Sequence, residues 1–324
     1  MNFTSIPEAY ASFQEPLLYA FDTQAKAHDV EVKIRDVETL EVIGRKILYG
    51  ATTGEVDIAP YLRQRMQINL PEGVAGCGEV ELNQQINVVV EVDDVSSAER
   101  CYIAAKVSPG LRWQLLTSQI EHRTMACDEF DLISYFAHPD VEVEVVVESL
   151  GKSGETMSFT PTSRGQCAVA VMAQGLGEKP DELKVTIKVD GHEQAQINYV
   201  IKPNLKGARR LAWLNEHLSP EIYTFPLRKG VLVKAVRRHM ESVWGREAAA
   251  LESENELKLI SAYEPKAQIE ALAEILSSKK VWLVENGVPQ SVNLVTDRVL
   301  PTSCGEMGMI EVDIRAAEKG VKLW

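Results

Sequence analysis

Residues 29–37, DVEVKIRDV, place Val30, Val32 and Ile34 at every second position with polar residues between them. That period of two is the pattern of a strand with one face buried. LLYAF (17–21) precedes it, and RKILYG (45–50) and EVDIAPYL (55–62) continue in the same style, with Gly and Thr-Gly as punctuation. ELNQQINVVVEV (81–92) and CYIAAKV (101–107) read as longer strands. Short strands separated by turn signals at this spacing predict a β-sandwich, with a boundary at Ser108-Pro109-Gly110.

A second series fills residues 111–204. EFDLISYF (129–136), VEVEVVVESL (141–150), ETMSFTP (155–161), QCAVAVMAQ (166–174), LKVTIKVDG (183–191) and AQINYVI (195–201) alternate or are β-branched. The last two form a hairpin turning at Asp190-Gly191, and KPNLKG (202–207) reads as a linker. Residues 205–324 differ in character. EPKAQIEALAEILSS carries Pro265 at the first helical position and Ile269, Leu272, Ala273 and Leu276 at i, i+3, i+4 and i+7, which predicts an amphipathic helix over 265–276. Strands are expected at EIYTF, at VLVKAVRRH, on either side of Asn286-Gly287, and at MIEVDIR (309–315). The chain is therefore mainly β: two β-sandwich-like domains, 1–110 and 111–204, followed by a small α+β domain, 205–324. The phrase Cys-Gly-Glu precedes a strand in both GCGEVEL (76–82) and SCGEMGMIEV (303–312), and we read this as two similar turns.

With 324 residues and 45% hydrophobic residues the chain can bury real cores. No apolar run approaches the ~20 residues of a bilayer span, so no membrane insertion is expected. The first residues carry neither a basic leader nor an apolar stretch, which predicts synthesis in the cytoplasm. Five scattered cysteines without close pairing read as reduced thiols and supply no zinc site. The net charge of −13 is uneven: residues 1–205 hold 31 acids and 17 bases, a balance of −14, whereas residues 206–324 hold 16 and 17. Repulsion from phosphate disfavours nucleic acid as a partner, and the near-neutral last third is the better place for protein contacts.

The candidate chemistry is sparse. Gly151-Lys152-Ser153 lacks the glycine a phosphate loop needs, since Val146 occupies that position, and a polar hairpin turn is expected. His239 and Glu241 have the His-x-Glu order of zinc deaminases without the paired cysteines, and read as a solvated strand face. The acids of DEFD (128–131) and DVEVEVVVE (140–148) are expected on wet strand faces, not as a hydrolytic pair. No catalytic residue, metal or cofactor is expected.

One stretch stands out in a chain that is 6% aromatic: RRLAWLNEHLSPEIYTFP (209–226), with Trp213, Tyr223 and Phe225 around Asn215. Tyr223 and Phe225 share a strand face, Trp213 packs across it, and Asn215 bridges backbone groups before Ser219-Pro220. The three aromatics are expected to staple a chain crossover into the third domain; the alternative is an aromatic platform for a sugar. The Trp-Leu-Asn followed by Tyr-Thr-Phe resembles a segment of tail-region structural proteins of phages and prophages of gut Bacteroidetes. GEVDIAPYLR (54–63) and ALAEILSSKKVWLVENGVPQSVNLV (271–295) are similar to further parts of those proteins. Where they carry Gly after the Asn, this chain has Glu216-His217-Leu218-Ser219. The resemblance implies a non-enzymatic structural protein of a tail-like particle that self-associates and contacts protein partners. A carbohydrate- or surface-binding β-sandwich is the alternative.

Overall fold

Alternation builds the first layer. In the computed structural model, His28–Asp36 lies between Val42–Ala51 and Gln85–Val92, and the last of these also pairs with Val95–Ser96 and Arg100–Ile103. Val30, Val32, Ile34, Val88, Val90 and Val92 all point inward. A three-stranded sheet of Asn2–Ser5, Leu18–Asp22 and Thr53–Asp57 adds Tyr19, Phe21 and Val56 to the same core. The two sheets are joined at depth by Tyr19 and Tyr102, whose hydroxyls lie 2.7 Å apart. The structure describes all residues except 109, 120–121, 151–153, 177–180, 203–206, 299–301, 305 and 318–324. For 229, 231, 233–238, 242, 247–254 and 302–304 it describes the backbone alone.

EVDIAPYL, expected as a strand, is half strand and half helix. The strand ends at Asp57 and a short helix, α1, runs Ala59–Arg65. The Asp57 carboxylate accepts from the Ala59 amide (3.0 Å) and the Leu17 amide (2.8 Å), and Pro60 sits in the first turn. Those two features turn the chain more strongly than the apolar alternation extends it.

The second unit is a sandwich whose two sheets differ in surroundings. One runs Trp113–Leu115, Phe130–Ala137, Gly165–Met172 and Gly78–Val80; the last strand comes from the first segment of the chain. The other runs His122–Ala126, His192–Lys202, Glu182–Val189, Val143–Leu150 and Thr156–Phe159, with a parallel pairing between the first two. The expected hairpin turns at Asp190 and Gly191, both at positive φ (49° and 80°), the backbone a two-residue β-turn requires. Phe130–Ala137 and Gly165–Met172 are buried along their whole length. Ile133, Tyr135, Val169 and Val171 face the second core, while Phe130, Leu132, Ala168 and Ala170 face the first. This sheet is a wall shared by two cores.

The third unit is a seven-stranded antiparallel sheet ordered Pro220–Phe225, Arg209–Leu214, Val281–Glu285, Val288–Leu294, Glu311–Ala316, Gly245–Ile260 and Leu227–Ser242. A helix, α2, spans Lys266–Ala273 and tightens into a 3-10 turn over Glu274–Ser277. Pro265 caps it instead of opening it. The tighter turn advances the phase of the last residues, so Ile275 is buried with Ile269 and Leu272, while Leu276 is only partly buried. Among the described residues no helix is long and apolar enough to cross a membrane.

Candidate functional site

The aromatic stretch is a β-hairpin. Arg209–Leu214 pairs with Pro220–Phe225, and Trp213 stands opposite Glu221. Successive side chains of a strand point to opposite faces, and here both faces are covered. Leu211, Trp213, Tyr223 and Phe225 enter the third core; Ala212, Leu214 and Ile222 enter the first. Trp213 and Phe225 are 0% exposed, and the Tyr223 and Phe225 rings meet edge to face at 5.0 Å. Tyr223 donates its hydroxyl to Glu264 (2.8 Å) and accepts from the Ala262 amide (3.0 Å). Residues placed this way offer no face on which a sugar could stack.

The hairpin tip is closed by Asn215. Its side-chain oxygen accepts from the backbone amides of His217 (2.9 Å) and Ser219 (3.0 Å), and its backbone N–H donates to the Ser219 carbonyl (2.9 Å). Glutamines from elsewhere then hold the successive carbonyls of the tip. Gln14 donates to Glu216 (3.4 Å), Gln166 to His217 (3.4 Å) and Gln84 to Leu218 (2.8 Å). The tip is thus anchored to both preceding units.

Beneath it lies a buried polar junction between the second and third units. Glu221, fully buried, accepts from the Ser118 amide (2.6 Å), Asn215 (3.0 Å), Gln119 (3.1 Å) and Arg123 (3.0 Å). Arg123 also donates to Asp131 (2.7 Å) and to the carbonyls of Gln119 (2.9 Å) and Leu132 (3.0 Å). Gln268 of α2 donates to Gln119 (2.8 Å), and Ser118 donates to Glu274 (2.9 Å). Arg210 reaches Glu129 (2.8 Å) and Asp131 (3.7 Å). Burial pushes the Glu221 carboxyl up to about 7, against the pull of the Arg123 guanidinium and the Ser118 amide. Burial also raises Glu264 and Glu274. The oxygens of Glu221 are occupied by donors from its own chain, so the group serves as a lock between units.

The remaining candidates are distributed. Glu129 and Asp131 of the DEFD phrase belong to the junction, whereas Glu144 and Glu148 pair with Lys188 (3.2 Å) and Lys184 (3.6 Å) along a strand surface. His239 and Glu241 are exposed. Gly151-Lys152-Ser153 lies outside the described residues. Among the described residues no three His, Cys, Asp or Glu side chains converge as a metal site would require. A cleft of about 330 Å³ between the first two units is lined by Glu8, Tyr10, Lys106, Arg112, His138 and Asp140. Its charges are partly matched within the wall, where Arg112 meets Asp140 at 3.2 Å.

The surface feature that pattern reading caught only in part is an arm: the strand at VLVKAVRRH was expected, its partner was not. Leu227–Ser242 and Gly245–Ile260 are 16 residues each and pair along nearly their full length. The neighbouring strand Glu311–Ala316 accompanies only Glu256–Ile260. Beyond that point, among the described residues, no further strand pairs with the hairpin for some ten residues per strand, a reach of roughly 35 Å at the usual strand rise. Its tip presents Val243 and Trp244, 99% and 90% exposed, with Met240 exposed beside them. Two large apolar residues between Glu241-Ser242 and Gly245-Arg246 were the available signal. No protein-family model matches the chain, and no curated protein matches it in sequence.

Proposed function

We propose that this chain is a non-enzymatic assembly protein of a phage-tail-like particle, acting by repeated contacts with further copies and with other proteins of the particle. The observation that carries the reading is the arm. An isolated two-stranded hairpin is marginally stable in water, and its apolar tip costs solubility. Both costs are offset when the arm lies on a partner. The rest of the molecule suits the same role: three units share core walls and a hydrogen-bonded junction, which makes a stiff body from which an arm can reach. The particle context rests on the resemblance of the 209–226 stretch and its flanks to tail-region proteins. The carbohydrate-binding alternative has lost the aromatics that suggested it, since Trp213, Tyr223 and Phe225 are buried. The test is light scattering of the intact chain over a wide concentration range, paired with a glycan array. Mass that rises with concentration and no specific glycan binding are expected. A strict monomer that binds a defined glycan would overturn the reading.

A further inference from the structure

We propose that the arm docks on a second copy of this chain along the acidic open edge formed by residues 71–81. The proposal rests on reading the arm as the assembly element and names the surface that receives it. Charge is the first observation. The strand Leu227–Ser242 carries Arg228, Lys229, Lys234, Arg237 and Arg238 against the single acid Glu241. Residues 71–81 carry Glu72, Glu79 and Glu81 and no lysine or arginine.

Geometry is the second. Among the described residues Leu227–Ser242 is the last strand of its sheet, with one backbone edge unpaired by another strand. Gly78–Val80 is likewise the last strand of its sheet, paired with residues 168–170 on one side. Beside it lies an open groove of about 380 Å³ whose walls include Glu72, Val74, Val80 and Glu81. A Cβ built on Gly76 or Gly78 would meet nothing within 4 Å, so another backbone can approach closely there. An incoming strand can add to such an edge through main-chain hydrogen bonds, with pockets for alternate side chains. The apolar groove wall receives the Val243-Trp244 tip, and the exposed Glu72 and Glu81 face the basic strand.

Charge also selects the symmetry. An arm-to-arm contact would bring two basic strands together, which like-charge repulsion disfavours. An arm-to-groove contact joins two different surfaces of the same chain. Made reciprocally it closes a two-fold dimer; repeated in one direction it closes into a ring or continues as a filament.

The experiment places the photo-crosslinking residue p-benzoylphenylalanine at position 244 of the full chain and mixes ¹⁴N- and ¹⁵N-labelled protein before irradiation. Mixed-isotope cross-links into residues 71–81 are expected. Oligomers whose inter-copy cross-links fall elsewhere would overturn the docking site and leave the assembly reading standing. A monomeric protein without inter-copy cross-links would remove both. As an independent readout, Arg238→Glu, on the basic strand, should weaken self-association about tenfold, and Glu81→Arg in the same chain should restore it. Failure of the second change to restore association would contradict the proposed pairing.

Discussion

Removing the Arg123 guanidinium would leave Asp131 and Glu221 buried without the cation that both contact, at 2.7 and 3.0 Å. Breaking a buried pair from one side costs about 3–5 kcal/mol, because the remaining charge stays desolvated. Arg123→Ala should therefore lower the free energy of unfolding by that order in urea denaturation. Glu221 adds a pH signature. Its carboxyl sits at about 7 in the folded chain, above the ordinary value of about 4.3. The folded state thus holds a proton that the unfolded state releases, and the stability this contributes is fully present below about pH 4.3 and lost as pH rises through 7. The stability difference between the wild type and Glu221→Gln should accordingly shift against the wild type between pH 5 and pH 8; a difference that is flat or moves the other way would remove Glu221 as the source. None of this junction was legible in the sequence. Arg123 and Glu221 are 98 residues apart, and nothing local marks a polar side chain whose partners arrive from another unit. The aromatics were legible as a cluster, because Tyr223 and Phe225 follow the strand period. Their burial on one face was readable; the second buried face, built by Ala212, Leu214 and Ile222, depends on the shared wall.

At the scale of elements, strands with one wet face announced themselves. Val30, Val32 and Ile34 alternate because one side of their sheet meets water. α2 was legible in position and face but not in phase, since its final turn tightens and exchanges Leu276 for Ile275. Leu272, fully buried between α2 and the seven-stranded sheet, gives the direct check. Leu272→Asp removes apolar burial and inserts a carboxylate into the third core, so it should destabilise the chain by about 3 kcal/mol or more. Unchanged thermal stability would contradict this packing. Gly245–Ile260 escaped notice for a physical reason. Glu252, Glu254 and Glu256 recur with period two, but the residues between them form no continuous apolar face until Leu257 and Leu259.

For the whole molecule, the sequence divides the chain at 110 and 204, and the structure crosses both lines. Gly78–Val80 completes a sheet of the second unit, and the 209–225 hairpin contributes to two cores. In the proposed function the arm is the element that a further copy completes. Its residues 227–260 hold seven bases and five acids, a balance of +2, so the rest of the chain carries −13 minus 2, or −15. Opposite charge on arm and body favours contact between different surfaces of successive copies over contact between like surfaces. The proposed function requires that the arm tip drive assembly. Sedimentation velocity on the intact chain and on the Val243→Ser, Trp244→Ser double variant, at matched concentrations and moderate salt, measures this requirement. The wild type should show concentration-dependent larger species and the variant a single monomer boundary with the same thermal stability. Equal association by both proteins, or a monomer in both, would contradict it.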